Sequence, residues 1–298
     1  MDWIDRVAGM RRWTRNGYRA PHKPLLLLYA LGHHQRHGAR PIPYSEAERQ
    51  LAHLLREFGP PRRTSPAYPF HHLTSDGLWR VTTVDGRKCD ADTATGLRNE
   101  SARGGLSPEF STALSRDPGL TVRIARYLLD ANFEPSLHAE ICVLAGLDLD
   151  TGAVRTDDVR LVAGHRDPRF RDLVLDAYDH RCAFCGYDGW IDGGPVALEA
   201  AHVRWWALGG PDDLTNGLCL CSIHHRLFDR GVLGLSRDHT VAVSTRFKGR
   251  SRASERLVSS LEGQPLNRPG GTDPAVEPDH VDWHGREVFR GDHPTLAT

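Results

Sequence analysis

Cys182 and Cys185 form a CxxC pair, and Cys221 and His224 repeat the same spacing after thirty-five intervening residues. Two such pairs can close a tetrahedron around one Zn²⁺. Cys219 could stand in for Cys221, but it lies off the x2 spacing and reads better as core. Between the pairs stand His202, at the end of an apolar run, and Asn216. His225 follows the second pair directly, with Asp229 four residues on. A neutral His near pH 7 can take a proton from water. A divalent ion held beside a phosphate can neutralise developing charge and stabilise a leaving oxygen. Metal knuckle, His, Asn and His follow one another in that order within residues 178–231.

This set resembles the HNH (ββα-metal) nuclease family at the residues that define it. The family places its first His at the end of a strand, an Asn in the following loop and a last His on a short helix. His202, Asn216 and His225 fall on those positions. The resemblance implies that His202 is the general base, that Asn216 orients it or holds the loop, and that His225 holds a catalytic divalent ion, Mg²⁺, Mn²⁺ or another. Asp229 shares a helix face with His225 at i,i+4, as a second metal ligand or a positioning group. Cys182, Cys185, Cys221 and His224 would hold a structural zinc. One position departs from the pattern. Many members carry Asp or Glu just before the first His, where this chain has Ala201. Glu199 lies two residues before Ala201, and its role stays open.

These residues need elements to hold them. Residues 167–177 read as a helix leading into the knuckle, 196–203 as a strand, 222–228 as a short helix, and 232–236 with 240–244 as a small hairpin. Arg246, Lys248, Arg250 and Arg252 form a basic run that suits a phosphate backbone or a solvated loop. In the tail, Trp283 and Phe289 are apolar enough to dock back as packing anchors.

At 298 residues, two domains are expected. We place a DNA-recognition domain at 1–150, a linker at 151–165 and the nuclease domain at 166–298. The fold class is α+β: a mixed helical and small-sheet N-terminal domain plus a zinc-containing ββα-metal domain. The net charge is zero, but the charge is unevenly spread. Residues 1–130 hold 20 Lys+Arg against 13 Asp+Glu, and such a surplus suits phosphate contact. No apolar run approaches the length of a membrane span. The N-terminus lacks the apolar core of a signal peptide. Four of six cysteines cluster in the metal pattern, which suits a reducing cytoplasm.

In the N-terminal part, 23–34 reads as a buried helix. Ser45 and Glu48 have capping-box spacing for a helix running to Phe58. Residues 68–73 and 78–84 flank Ser-Asp-Gly, a hairpin signal. Helices are expected near 120–131 and 135–144. Two segments, APHKPLLLLYAL (20–31) and YPFHHLTSDGLWRV (68–81), look like the sulfur-binding domain family. That family recognises phosphorothioate DNA and occurs fused to HNH modules in type IV, modification-dependent restriction enzymes. The resemblance implies that Tyr68 and Pro69 wall an apolar sulfur pocket and that His22 and Lys23 are the basic pair near the phosphate. Phe70 and His71 join that corner, and Arg98 and Arg103 lie where the family carries residues that contact bases or backbone.

The expected function is an endonuclease that binds double-stranded phosphorothioate DNA and cuts nearby, as a homodimer. The alternatives are an HNH nuclease dependent on methylated cytosine and a non-cutting, zinc-stabilised DNA-binding protein.

Overall fold

The computed structural model describes residues 2–12, 14–15, 18–150, 167–271 and 273–291, with only backbone for 14–15 and 18–19. The chain divides into two compact units, Met1–Gly164 and His165–Thr298. The linker expected at 151–165 lies outside the described residues. Among these residues no helix is long and apolar enough to cross a membrane.

The N-terminal unit is built around one buried helix. In chain order it has α1 (Trp3–Ala8), the two-residue strands β1 (Thr14–Arg15) and β2 (Tyr18–Arg19), α2 (His22–His37), β3 (Ile42–Pro43), α3 (Tyr44–Phe58), α4 (Ala67–His72), β4 (Trp79–Thr82), α5 (Ala94–Asn99), β5 (Arg103–Leu106), α6 (Pro108–Arg116), α7 (Pro118–Asp130) and α8 (Pro135–Ala145). Every residue of α2 from His22 to His34 is buried, so the helix is enclosed on all faces, and it packs against α3, α4, α7 and α8. Strands β3, β5 and β4 form an antiparallel sheet in that order.

Two local expectations fail here, each for a stated reason. Residues 67–72 are helix rather than the first arm of a hairpin. The amide of Ala67 donates to Ser65 Oγ, Phe70 N donates to the Pro66 carbonyl, and Pro69 sits in the first turn, where an amide would have no intrahelical acceptor. A 3₁₀ turn over Leu73–Asp76 follows, closed by Gly77 at φ 70°, and β4 pairs with β5 instead. The second concerns α3, which starts at Tyr44 with no side-chain cap. Ser45 lies inside the first turn, and Glu48 is engaged by Arg98 rather than folding back.

The C-terminal unit runs α9 (Phe170–Ala177), β6 (Trp190–Ile191), β7 (Gly194–Pro195), β8 (Leu198–His202), β9 (Gly217–Cys221), α10 (Ser222–Asp229), β10 (Leu233–Leu235), β11 (Val241–Val243), α11 (Arg252–Leu257) and α12 (Pro278–Glu287). Strands β8 and β9 are antiparallel, with Leu198 opposite Cys221 and His202 opposite Gly217. With α10 they make a ββα unit. Its core is closed by α9, and Gly217 allows that approach: a Cβ there would lie 2.5 Å from Val174. The tail docks as expected. Trp283 and Phe289 are buried, and the ring of His284 stacks on Phe228 of α10 at 3.8 Å.

Candidate active site

The metal knuckle assembles from two turns. Gly186 N donates to the Cys182 carbonyl, which also accepts from Asn267 Nδ2. Cys221 ends β9, and His224 stands one turn into α10. The ligand atoms of Cys182, Cys185, Cys221 and His224 all lie within 4.8 Å of one another. His224 Nδ1 is 3.4 Å from Cys182 Sγ and 3.3 Å from Cys221 Sγ, while Nε2 donates to the Leu257 carbonyl at 2.9 Å. That outer hydrogen bond keeps the proton on Nε2 and turns Nδ1 to the sulfurs, as a zinc-binding His requires. Three thiols and one imidazole nitrogen in this closed arrangement fit a structural zinc. Cys219 is buried outside the cluster, and burial raises its thiol to about 12, which keeps it a core residue.

His202 closes β8 and is buried. Its Nε2 donates to Asp212 Oδ1 at 2.7 Å, and Asp212 Oδ2 accepts from the amide of Asp167 at 2.8 Å. Phe170 stacks on the imidazole with 4.2 Å between centroids and 12° between planes. The ring is therefore held edge-on by a carboxylate and face-on by an aromatic. With Asp212 on the Nε2 proton, the basic lone pair falls on Nδ1. Asp212, Asp167 and Phe170 were missed in sequence. The only signal was an acid four residues before Asn216, in a Gly-Gly-Pro turn.

Asn216 is fully buried, and its amide is spent on the loop. Oδ1 accepts from Arg204 N at 2.8 Å, and Nδ2 donates to the carbonyls of Arg204 and Pro211 at 2.9 and 3.0 Å. These three bonds close loop 203–216. Gly210 fits inside this clamp: a Cβ there would sit 1.8 Å from the Arg204 carbonyl oxygen. The tail braces the loop from outside, with Glu277 N donating to the Thr215 carbonyl and Trp283 6.0 Å from Trp205.

His225 has a carboxylate on each nitrogen. Nδ1 lies 2.6 Å from Glu199 Oε2, and Nε2 lies 3.2 Å from Asp229 Oδ2. Burial works against charge on this ring, yet Asp229 and Glu199 raise it to about 10. Its hydrogen bond holds Glu199 at about 2. A ring nitrogen flanked by carboxylates is a donor set that fits a hard divalent ion.

In the N-terminal unit, the start of α2 meets α4. The ring of Tyr68, 41% exposed, lies 6.1 Å from His22 and 4.5 Å from His72. His22 also bonds Thr64 Oγ1 at 3.1 Å. Burial and the nearby Arg62 charge lower His22 to about 4, so it is a neutral ring at pH 7 rather than half of a basic pair. Lys23 is buried and bonded to Asp76 Oδ2 at 2.6 Å. Pro69 is buried in the same helix as Tyr68. Phe70 is a correction: it is fully buried between Tyr44 and Trp79 and is a core residue, with no surface to offer a ligand. His71 Nδ1 bonds the Ala91 carbonyl. Arg98, on α5, forms a two-pronged pair with Glu48, and Arg103 is exposed on β5.

Residues 1–150 match the family model described as the ScoMcrA-like DNA sulfur-binding domain, and residues 182–236 match that of the HNH endonuclease. The solved structures similar to this chain include the sulfur-binding domains of ScoMcrA and SprMcrA, each complexed with phosphorothioated DNA. Both are 26% identical; they cover 49% of this chain and 96% and 93% of their own, with TM-scores of 0.41 and 0.42. A third is the type IV phosphorothioation-dependent restriction endonuclease ScoMcrA, 23% identical over 50% of this chain and 30% of its own, at a TM-score of 0.38. No curated protein matches the chain. The chain belongs to the ScoMcrA-like DNA sulfur-binding domain family and joins to that domain an HNH endonuclease domain, which makes it a DNA-cleaving hydrolase.

Proposed function

We propose that this protein restricts modified DNA: the N-terminal unit binds a phosphorothioate linkage in duplex DNA, and the HNH unit hydrolyses a phosphodiester nearby. The observation that carries the chemistry is the caged imidazole of His202, aligned by Asp212 at the end of a ββα strand in the same unit as a Cys₃His cluster. His202 takes the proton of the attacking water, Asp212 and Phe170 hold its ring, and Asn216 keeps the loop closed. A divalent ion near His225, when bound, would neutralise charge on the phosphate and the leaving oxygen. Zinc, when bound in the Cys₃His cluster, would hold the two turns together.

For recognition, sulfur on phosphate is larger, softer and more weakly hydrated than oxygen. An apolar wall accepts it without the desolvation cost of an oxygen anion. The exposed Tyr68 ring, with neutral His22 6.1 Å away, suits that ligand. Arg103, exposed on β5, would follow the backbone. Two cuts on opposite strands need two active sites, so the working form is a homodimer, acting in the cytoplasm.

The test uses matched duplexes that differ by one sulfur. The full chain should bind and cut the sulfur duplex at least tenfold better, a difference of ~1.4 kcal/mol. Substituting Tyr68 should erase that preference and leave binding of the oxygen duplex little changed. Equal action on both duplexes, with preference for methylated cytosine, would replace the sulfur reading and leave the nuclease reading standing. Binding without any cutting would favour the non-cutting protein.

A further inference from the structure

The family pattern leaves a gap in this chain. Ala201 stands where an acid usually precedes the first His, so the catalytic ion lacks its expected carboxylate. We infer that Glu199 supplies it, with His225 Nδ1 as its neighbour, and that Asp229 is a positioning residue behind the ring rather than a ligand. This rests on the nuclease reading above.

Strand geometry allows the replacement. Side chains two apart on a strand share a face, so Glu199 projects from the same side of β8 as Ala201, one pleat earlier. Glu199 Oε2 already lies 2.6 Å from His225 Nδ1, and Oε1 accepts from the Ser222 hydroxyl at 2.7 Å. The carboxylate is thus held at both oxygens and aimed at the ring. Neighbouring ligands of an octahedral ion with bonds of ~2.1 Å lie about 3 Å apart. The pair therefore needs to open by only a few tenths of an ångström, with loss of the shared proton, to take an ion.

The choice between the two flanking carboxylates follows from access. Only one nitrogen of a neutral imidazole can ligate, and the other keeps its proton. The ion must also reach a phosphate oxygen and water. The Glu199 side chain is 44% exposed and that of Asp229 is 0% exposed. The ion must therefore sit on the Glu199 side, at Nδ1. Asp229, bonded to Nε2 from the buried side, then fixes the tautomer and the ring angle, the usual work of a carboxylate behind a metal-binding His. One Glu and one His leave most positions on the ion to water and phosphate, as Mg²⁺ and Mn²⁺ sites for phosphate chemistry commonly do.

The test titrates Mn²⁺ into the zinc-loaded full chain. Free Mn²⁺ is followed by its EPR signal, and the waters on bound Mn²⁺ are counted from water-proton relaxation. Glu199→Gln keeps the shape of the side chain, and it should weaken Mn²⁺ binding at least tenfold with zinc content unchanged. The residual complex should gain a water in the vacated position. Asp229→Asn should keep the wild-type water count even where affinity falls. Mn²⁺ affinity of Glu199→Gln within twofold of wild type, or a water gained in Asp229→Asn instead, would overturn the assignment while a wild type that binds Mn²⁺ and cuts DNA leaves the nuclease reading intact. A wild type that takes up no Mn²⁺ and cuts no DNA would overturn both.

Discussion

A histidine works as a base only when its lone pair points where the water will be. His202 cannot rotate freely: Asp212 holds one edge, Phe170 covers one face, and Asp212 is itself tied to the Asp167 amide. His202→Ala should lower the cleavage rate by about 10²–10⁴-fold, the usual worth of a general base, with DNA affinity and zinc content unchanged. Asp212→Asn should lower kcat at least tenfold and leave DNA affinity alone, since Asp212 acts through the ring and not on substrate. Single-turnover cleavage alongside equilibrium binding separates the two effects. Loss of binding in either variant would mean that loop 203–216 had collapsed.

Elements decide whether those residues meet. The Cys₃His cluster joins the turn at Cys182–Cys185 to the β9–α10 corner, and His225 follows His224 directly. Cys182→Ser should therefore lose stoichiometric zinc and melt the nuclease unit, because structural zinc supplies much of the folding free energy of a small module. Elemental analysis with thermal unfolding checks it. His225→Ala, by contrast, should retain zinc. In the N-terminal unit, His22 couples folding to pH. Its folded value of about 4 lies below the usual 6.5 because burial and Arg62 disfavour its charge. The unfolded chain binds the proton first, so the contribution is complete above pH 6.5 and is lost as pH falls toward 4. The loss amounts to about 3 kcal/mol at most. His22→Gln should flatten that slope in urea midpoints measured from pH 7 to 4.

For the molecule as a whole, charge and assembly set how it meets DNA. The excess of seven basic residues over acidic ones in 1–130 predicts affinity that falls as salt rises, through counterion release. The preference for sulfur should change much less, because it comes from an apolar contact. Fluorescence anisotropy with both duplexes across a salt series checks this, and a sulfur preference that vanished with salt would argue against an apolar pocket. Sedimentation of the His202→Ala protein on a sulfur duplex should show two chains per DNA; one chain, with nicked rather than broken product from the wild type, would remove the homodimer.

The residues that chemistry requires were legible because metal and phosphodiester chemistry demand fixed residue types at short spacings. The CxxC and CxxH pairs could be named from their spacing, His202, Asn216 and His225 from their resemblance to the HNH pattern, and the long helices followed from their apolar runs. What tertiary structure decided was the use of each group. Asp212 and Phe170 reach His202 only because a loop and α9 fold onto β8. Glu48 caps nothing because Arg98, fifty residues away, takes it. Phe70 goes to the core because Tyr44 and Trp79 close on it. Residues 67–72 are helix because Ser65 and Pro66 start a turn that a strand pattern does not register. Sequence spacing reports which atoms are available; long-range packing determines which of them are buried, paired or left facing the substrate.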